Sequence, residues 1–443
     1  MYSDAVQKAL DSAGVKPGDR MRVTKGGKAH EGILLPKADE GDPDCLVLKL
    51  PSGYNIGIEM KGAKLERLGE GAKLEHFPGR KIAPNPSLPS VSFISTGGTI
   101  ASRLDYVTGG VKMAMTPEEI FFAVPELSDV ANLSKVVQLS NIASEDLNFK
   151  NWQAMAETAA KELNGGAAGV VITHGTDTMH YSAAALSFML LNLTKPVVFT
   201  GAQKSSDRGS SDAFMNILCG TALAAKGDFA EVGICMHAEE SDSFCHFIRG
   251  TKARKMHTSR RDAFRPINDK PIARVYPDGK IEPAGGWHRK RAGGEVSAST
   301  KFEHKVALVK AYPGSLAEII DFYASKGFKG IVIEGTGMGH VPTQTPEAKD
   351  SWIPHIKEAS KKGIVVAVTS QCMYGRTNSY VYRNLRMLKA AGATHCEDLL
   401  AETAYVKLGW LLANHTPEEA KKMMPLNLVG EVKPRITADE FLV

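Results

Sequence analysis

The chain has 443 residues, of which 43% are hydrophobic and 23% charged, and its net charge of +5 is small for this length. This composition is typical of soluble globular proteins with two to four domains, and the charge does not by itself indicate a nucleic-acid-binding protein. No apolar run approaches the roughly 20 residues of a membrane helix, and the N-terminus lacks a signal-peptide pattern. The six cysteines form no CxxC pair, so we expect neither a metal ribbon nor a redox dithiol, but a cytoplasmic protein in a reducing compartment.

The N-terminal part, residues 1–75, is predicted to form a small separate domain. Its first 15 residues have the pattern of an amphipathic helix, with Val6, Leu10 and Val15 on one side. The alternating segments that follow turn at glycines, which predicts a small β-barrel. Residues 76–90 contain four prolines and little periodicity, and they are predicted to be a linker.

The remainder of the chain predicts an α/β fold with two domains built on parallel sheets. Residues 91–285 alternate between apolar strands and helical segments, an order typical of a parallel sheet covered on both faces. A linker at 286–304 leads to a second, smaller α/β domain at 305–443. Strands are expected at 91–95, 167–174, 195–202 and 231–237 in the first domain and near 305–310, 330–334 and 364–369 in the second. Helices are expected in the first domain at 151–163 and 182–193.

A first polar cluster follows the strand at 91–95, where the chain reads Thr96-Gly97-Gly98-Thr99. Ligands in open α/β sheets bind at the carboxyl ends of strands, and glycines let the backbone approach a ligand closely. A threonine hydroxyl held there can act as a nucleophile, with backbone N–H groups available for an oxyanion. Glycine-rich turns after strands also bind phosphates, so this motif alone leaves both functions open.

A second polar turn, His174-Gly175-Thr176-Asp177-Thr178, follows the next predicted strand. Asp and Thr are common helix N-caps, so a purely structural role is an alternative. The density of polar groups exceeds what a cap requires. Two such turns in one sheet therefore favour a shared site.

Lys255 lies in a strongly basic segment, 249–265, which holds seven basic residues against one acid, and residues 288–291 form a second basic cluster. Both a solvated basic surface and a surface for an anionic partner explain these segments. For Lys255 itself, one alternative is an ordinary surface lysine. The other is a lysine that neighbouring cations such as Arg254 keep partly neutral, so that it can take a proton from a threonine.

In form and order, TGGTI followed by HGTDTM resembles the two signatures of the bacterial-type asparaginase/glutaminase family, and the resemblance extends over about 91–420. It implies a two-domain asparaginase-like fold and a threonine nucleophile, which falls on Thr99. It also implies catalytic roles for Thr176, Asp177 and Lys255, and it requires no metal.

The same resemblance implies a set of substrate-binding residues. The segment NIASED is similar to the family's substrate loop, which places Ser144 and Glu145 near the α-amino and α-carboxylate groups of the substrate. A glutamine is common in the family where Glu145 stands. Gly98 and Gly175 are expected to line the site, and Tyr106 is the candidate for the family's mobile tyrosine.

The N-terminal segments GDRMRVTKGG and LVLKLPSGYNIGI are similar to the N-terminal domain of the D subunits of archaeal glutamyl-tRNA(Gln) amidotransferases, as are residues 369–382 and 402–412. This resemblance implies a glutaminase that hydrolyses glutamine or asparagine and supplies ammonia to an E subunit, which converts Glu-tRNA(Gln) to Gln-tRNA(Gln). ATP and Mg are expected in that partner, which also makes the main contact with tRNA(Gln), and no cofactor is expected in this chain. A homodimer bound to two E subunits, a heterotetramer, is implied.

Two alternatives remain at the level of the sequence. The chain could be a free L-asparaginase with an added domain. It could also be an RNA-binding or scaffold protein that has retained an inactive hydrolase fold, for which the basic segments at 249–265 and 288–291 are the only support.

Overall fold

The computed structural model describes most of the chain. The described residues are 2–36, 42–51, 55–70, 85, 87–97, 102–104, 111–113, 124–204 and 210–442. None of the helices in these ranges is long and apolar enough to cross a membrane. Within the same ranges, no group of three or more His, Cys, Asp or Glu side chains is placed to hold a metal ion.

The N-terminal part folds as a helix packed on an antiparallel sheet. Its elements are α1 (Asp4–Ser12), β1 (Arg20–Lys25), β2 (Lys28–Leu34), β3 (Cys45–Lys49), β4 (Asn55–Glu59) and β5 (Lys64–Gly69). Val6, Leu10 and Val15 pack into the core of this sheet, which confirms the predicted amphipathic helix. The strand order is β4-β3-β2-β1-β5, and no ladder joins β4 to β5 among the strands that the structure describes. Closure into a barrel therefore remains a prediction.

The central part of the chain contains one large sheet and two small hairpins. Its strands are β6 (Ser90–Ser95), β7 (Ser102–Leu104), β8 (Val111–Met113), β9 (Asn132–Gln138), β10 (Gly169–Thr173), β11 (Leu190–Leu191), β12 (Val197–Thr200), β13 (Val232–His237), β14 (Cys245–Arg249), β15 (Ala253–Lys255), β16 (Phe264–Pro266), β17 (Ala273–Val275) and β18 (Ile281–Pro283). Its helices are α2 (Phe149–Asn164), α3 (Met179–Met189) and α4 (Ala213–Lys226).

The large sheet has the order β18-β17-β14-β13-β12-β10-β6-β9. In this order, the strands from β9 to β13 pair in parallel, which confirms the predicted α/β arrangement. Apolar, β-branched segments such as Gly169–Thr173 form these strands because they are buried on both faces of the sheet. The strands from β14 to β18 continue the sheet in antiparallel pairs, which the sequence did not predict. The carboxyl ends of β6, β10 and β12 thus meet at one edge.

One predicted helix is displaced. The expected helix at 182–193 begins at Met179, directly after Thr178, and ends at Met189. Leu190 and Leu191 are extended instead, because they pair with a short strand at Ser297–Ala298.

The C-terminal part is a smaller α/β unit with a parallel sheet. Its elements are β19 (Ser297–Ala298), β20 (Val306–Lys310), α5 (Glu318–Ser325), β21 (Gly330–Gly335), α6 (Trp352–Lys361), β22 (Val365–Ser370), α7 (Arg383–Ala390), β23 (Thr394–His395), α8 (Ala401–Asn414) and α9 (Pro417–Met423). The order is β20-β21-β22-β23, with all pairs parallel, and the three predicted strands are confirmed.

The central and C-terminal parts share a continuous hydrophobic core. Buried residues of α2 and α3 belong to the same cluster as residues of α8. The rings of Phe188 and Trp410 stack with centroids 6.1 Å apart. A Cβ on Gly409 would lie 2.3 Å from the ring of Phe302, so α8 packs at a distance that only glycine allows. The helix that follows the HGTDT turn is therefore fixed against the C-terminal part.

Candidate active site

Three polar turns meet at the carboxyl edge of the central sheet. They follow β6, β10 and β12, which are neighbours in parallel register. Thr96 Oγ1 donates a hydrogen bond to the main-chain carbonyl of Thr173 (3.0 Å), and the main-chain N–H of His174 donates to the carbonyl of Thr200 (3.0 Å). These two hydrogen bonds connect the three turns.

The TGGT motif enters this edge at Thr96 and Gly97. Gly97 has a φ of +130°, and a Cβ there would lie 2.2 Å from the carbonyl oxygen of Ile142, so the position requires glycine. The predicted nucleophile Thr99, the predicted substrate-lining Gly98 and the candidate Tyr106 lie outside the described residues.

Lys255, Thr176 and Asp177 form a contact group at this edge. The Nζ of Lys255 donates to Thr176 Oγ1 at 2.9 Å and to Asp177 Oδ1 at 2.5 Å. The side chain of Lys255 is 8% exposed, whereas that of Asp177 is 66% exposed. Lys255 is therefore not an ordinary surface lysine. The structure thus brings Lys255 to two adjacent residues that lie almost eighty positions before it in the sequence.

The hairpin formed by β15 and β16 carries Lys255 to this position. Lys255 pairs with Phe264, whose side chain is buried. A Cβ on Gly250 would lie 2.9 Å from the carbonyl oxygen of Ala183, so the segment leading into the hairpin packs directly on α3. The lysine and the HGTDT turn thus share one support.

The predicted substrate loop lies against the HGTDT turn. Thr178 Oγ1 donates to the main-chain carbonyl of Ser144 at 2.6 Å. A Cβ on Gly175 would approach the Cβ of Ser144 to 2.8 Å, so glycine permits this contact. Ser144 is buried, and the neighbouring Glu145 is exposed at the rim. The structure therefore places Ser144 against Gly175 and Thr178, and the roles of Ser144 and Glu145 in substrate binding remain a prediction.

A buried hydrogen-bond chain orients the turn from behind. His174 Nδ1 lies 2.6 Å from the Gly175 carbonyl oxygen, and its Nε2 lies 2.8 Å from Ser182 Oγ, which accepts from Trp152 Nε1 at 2.9 Å. Burial lowers the pKa of His174 to about 4, so the ring is neutral and carries one proton. That proton lies on Nδ1, because a carbonyl only accepts, and Ser182 donates to Nε2.

This tautomer determines the direction of one peptide group. The carbonyl of Gly175 is held toward the buried ring of His174, and the peptide bond that joins it to Thr176 is trans. The N–H of Thr176 therefore points the opposite way, away from the imidazole. A fixed N–H of this kind is suited to stabilise an oxyanion.

Sequence reasoning missed Gln203 and its support. Gln203 follows β12, and its Oε1 lies 3.5 Å from Thr176 Oγ1. Its main-chain N–H donates to the carboxylate of the buried Asp212 at 3.0 Å, and Asn216 Nδ2 donates to the carbonyl of Gly201 at 2.9 Å. A polar residue directly after a third parallel strand was the available signal, but no motif marked it.

Comparison with known proteins gives three family matches along the chain. Residues 15–68 match the GatD N-terminal domain, residues 90–285 match the N-terminal asparaginase domain, and residues 305–424 match the glutaminase/asparaginase C-terminal domain.

Several curated relatives match over almost the whole length. The D subunit of the glutamyl-tRNA(Gln) amidotransferase of Pyrococcus furiosus is 52% identical, with 99% of this chain and 100% of the relative covered. The corresponding D subunit of Thermococcus kodakarensis is 50% identical, with 99% of each chain covered. The corresponding D subunit of Methanothermobacter thermautotrophicus is 47% identical, again with 99% of each chain covered.

Solved structures of L-asparaginases resemble most of the chain. The thermostable L-asparaginase from Thermococcus kodakarensis superposes with a TM-score of 0.69 at 27% identity and covers 78% of this chain and 100% of its own. L-asparaginase I from Vibrio cholerae gives a TM-score of 0.66 at 28% identity with the same coverage. The chain therefore belongs to the family of glutamyl-tRNA(Gln) amidotransferase D subunits, which is built on the asparaginase fold.

Proposed function

We propose that this chain is the glutaminase subunit of a tRNA-dependent amidotransferase. It hydrolyses glutamine, or asparagine, through a threonine nucleophile and supplies the ammonia to an E subunit, which converts Glu-tRNA(Gln) to Gln-tRNA(Gln). The observation that carries the proposal is the contact of Lys255 Nζ with both Thr176 Oγ1 and Asp177 Oδ1 at the sheet edge that TGGT enters. The match of residues 15–68 to the GatD N-terminal domain and the D-subunit relatives that align over almost the whole chain support the same assignment.

In the proposed mechanism, the hydroxyl of Thr99 attacks the side-chain amide carbon of glutamine. Lys255 and Thr176, oriented by Asp177, form the relay that takes the hydroxyl proton and returns a proton to the leaving nitrogen. Backbone N–H groups near Gly98 and Thr176 stabilise the oxyanion. Ammonia leaves, and water hydrolyses the γ-glutamyl ester to glutamate and free enzyme.

The contacts of Thr176 suit a relay. Its Oγ1 accepts a hydrogen bond from Lys255 at 2.9 Å, so its own hydroxyl hydrogen points elsewhere, in the direction of Gln203 Oε1 at 3.5 Å. Asp177 is mostly exposed to solvent and forms an ion pair with Lys255, so its side chain does not cover the three residues from the solvent side. The relay therefore faces the open edge at which a substrate would enter.

The wider assembly follows from the same proposal. Two copies of this chain pair with two E subunits in the cytoplasm, and the E subunit binds tRNA(Gln) and uses ATP and Mg. This chain itself acts without a metal or an organic cofactor.

A test separates ammonia production from amidation. Thr99→Ala is expected to abolish glutamine-dependent amidation by the complex and to leave ammonia-dependent amidation intact, because only the source of ammonia is removed. Loss of both activities would contradict the proposal.

A free L-asparaginase is the second candidate, favoured by the L-asparaginase structures that cover 78% of the chain. Ammonia release from asparagine and from glutamine by the isolated chain, repeated with its E partner and glutamylated tRNA(Gln), distinguishes the two. Low activity that rises on assembly supports the amidotransferase assignment. Strong activity that the partner does not change supports the free enzyme.

A further inference from the structure

The hairpin that carries Lys255 contacts the C-terminal part of the chain on its other face. Lys252, immediately before β15, donates to Asp398 Oδ2 at 2.5 Å. Arg254 forms an ion pair with Glu402 in the first turn of α8. These contacts join two segments that are about 146 positions apart in the sequence.

A further hydrogen bond connects the same two segments. Thr403 Oγ1 donates to the main-chain carbonyl of Thr251 at 3.0 Å. Lys252 Nζ also lies 3.3 Å from the main-chain carbonyl of Asp398. Asp398, Glu402 and Thr403, which lie just before α8 or in its first turn, thus contact the start of the hairpin. Their partners there are Lys252, Arg254 and Thr251.

The contacts to the C-terminal part and the candidate active site lie on opposite faces of the hairpin. Side chains two residues apart in a strand point to the same face, and adjacent ones point to opposite faces. Arg254 and Lys255 are adjacent in β15, so Arg254 points to Glu402 and Lys255 points to the opposite face, toward Thr176. Lys252, in the turn before the strand, contacts Asp398. The contacts made by the C-terminal part therefore determine where the lysine of the site stands.

Burial makes these contacts between the hairpin and the C-terminal part rigid. Lys252 and Asp398 are both almost completely buried, and Glu402 is buried as well. Burial lowers the pKa of Lys252, and the charge of Asp398 opposes that effect. A buried ammonium that loses its carboxylate is strongly disfavoured, so removal of the Asp398 charge forces the hairpin to rearrange. Removal of the Glu402 charge takes away the acidic partner of Arg254.

We infer that Asp398 and Glu402 are positioning residues for Lys255, acting through Lys252 and Arg254. This inference rests on the proposed function, because it assigns them to the lysine of that reaction. Neither acid contacts Thr176 or Asp177, whereas each contacts the start of the hairpin directly. A displacement of about 1 Å at a reacting group can lower a rate on the order of 10²-fold.

The experiment measures kcat and KM for glutamine hydrolysis by the full chain assembled with its partner. Glu402→Gln and Asp398→Asn are nearly isosteric; each removes the charge and replaces one carboxylate oxygen by an NH2 group. We expect each to lower kcat by about tenfold or more. KM should stay within about twofold, because Ser144 and Glu145 lie on a different loop.

Glu162→Gln is the matched control. Glu162 on α2 pairs with Lys135 at 3.1 Å and accepts from Ser92 Oγ at 2.9 Å, near the amino end of β6 and away from the site. It should lower the melting temperature about as much as Glu402→Gln does and leave kcat unchanged. Equal losses of kcat in the two variants would show general destabilisation and overturn the inference.

Two further variants make the outcome decisive. In a double-mutant cycle, Arg254→Gln combined with Glu402→Gln should lose no more kcat than Glu402→Gln alone, because the pair acts as a unit. Additive losses would contradict this. If Asp398→Asn does not fold, the Arg254 cycle still tests the inference, since Arg254 is only partly buried.

Lys255→Met separates this inference from the proposed function. If Lys255→Met is inactive while Glu402→Gln and Asp398→Asn keep full kcat, the inference is wrong and the proposed function stands. If Lys255→Met itself keeps full kcat, the proposed role of the lysine fails, and the positioning role fails with it.

Discussion

At the scale of single residues, burial decides the charge state of two histidines behind the catalytic edge. His174 is fully buried, with both ring nitrogens hydrogen-bonded, and burial lowers its pKa to about 4. In His180, burial and then the cation of Arg254 lower the pKa to about 3. Neither ring nitrogen of His180 has a hydrogen-bond partner among the described residues. Both rings are therefore neutral near pH 7.

His180 should make the protein less stable in acid. An unfolded histidine has a pKa of about 6.5, so below that pH the unfolded chain binds a proton that the folded chain does not. The stabilisation is present above pH 6.5 and is lost as the pH falls toward the folded pKa of about 3. The free energy of unfolding should therefore fall by about 1.4 kcal/mol per pH unit for this residue.

His180→Phe removes this effect without leaving a polar atom unpaired. Urea unfolding at pH 7 and pH 5 is expected to show a smaller acid-induced loss in the variant, by about 2 kcal/mol. His257→Gln, at an exposed position, serves as the control and should behave like the wild type. An identical loss in His180→Phe and the wild type would contradict the argument.

The residue scale also shows what the sequence could and could not predict. Ser144, Thr176 and Lys255 stand in motifs, and the structure places all three at one edge. Gln203 and His180 carried no signal, because a polar residue after a strand or inside a buried helix is common. Their surroundings arise only when distant segments pack together.

At the scale of elements, the candidate site contains a close contact between the HGTDT turn and the predicted substrate loop. Thr178 holds the main chain of Ser144, and Gly175 leaves room for the side chain of Ser144. The loop is further anchored at its start, where Ser140 Oγ donates to the carbonyl of Thr96 at 2.6 Å. The predicted substrate loop and the HGTDT turn are therefore mechanically connected.

Gly175→Ala should weaken substrate binding more than it slows the chemical step. The added Cβ would lie 2.8 Å from the Cβ of Ser144 and 3.3 Å from its main-chain nitrogen, so the loop must move. We expect KM for glutamine to rise about tenfold, a change of about 1.4 kcal/mol in binding free energy. Steady-state ammonia release measures both constants.

Gly293→Ala is the matched control, since a Cβ there meets nothing within 4 Å. It should keep the wild-type KM. A Gly175→Ala variant with wild-type KM and a reduced kcat would instead show that the turn, and not the loop, gives way.

The elements of the parallel sheets were predictable, and the elements that carry Lys255 were not. Five-residue apolar runs such as Gly169–Thr173 have a clear pattern. The strand Ala253–Lys255 has three residues, two of them basic, and shows no alternation that propensity could detect. Only its pairing with Phe264–Pro266 and its contacts to α8 make it a strand. The position of the lysine was thus set by tertiary contacts.

At the scale of the whole molecule, the basic segment 249–265 forms ion pairs with acidic residues of several parts of the chain. Each of its seven Lys and Arg side chains has an acidic partner. The pairs are Arg249–Glu231, Lys252–Asp398, Arg254–Glu402, Lys255–Asp177, Arg260–Asp262, Arg261–Asp242 and Arg265–Asp262. In the second basic cluster, Arg289 pairs with Glu231, and Arg291 donates to main-chain carbonyls such as that of Gly227. Most of the charges in the two segments are therefore engaged in ion pairs or in hydrogen bonds to the main chain.

The isolated chain should therefore bind bare tRNA weakly and with a shallow dependence on salt. A protein that contacts three phosphates loses about fortyfold in affinity between 50 and 200 mM salt, whereas one with six to ten contacts loses about 10³-fold to 10⁵-fold. Because the basic residues at 249–265 are already paired, we expect no more than about a fortyfold loss. Fluorescence anisotropy with labelled tRNA at the two salt concentrations measures it, with the chain assembled with its E partner as the reference for tight binding. A steep loss in the isolated chain would mean that these ion pairs open to contact phosphates, and it would favour an RNA-binding protein over a glutaminase that meets tRNA through its partner.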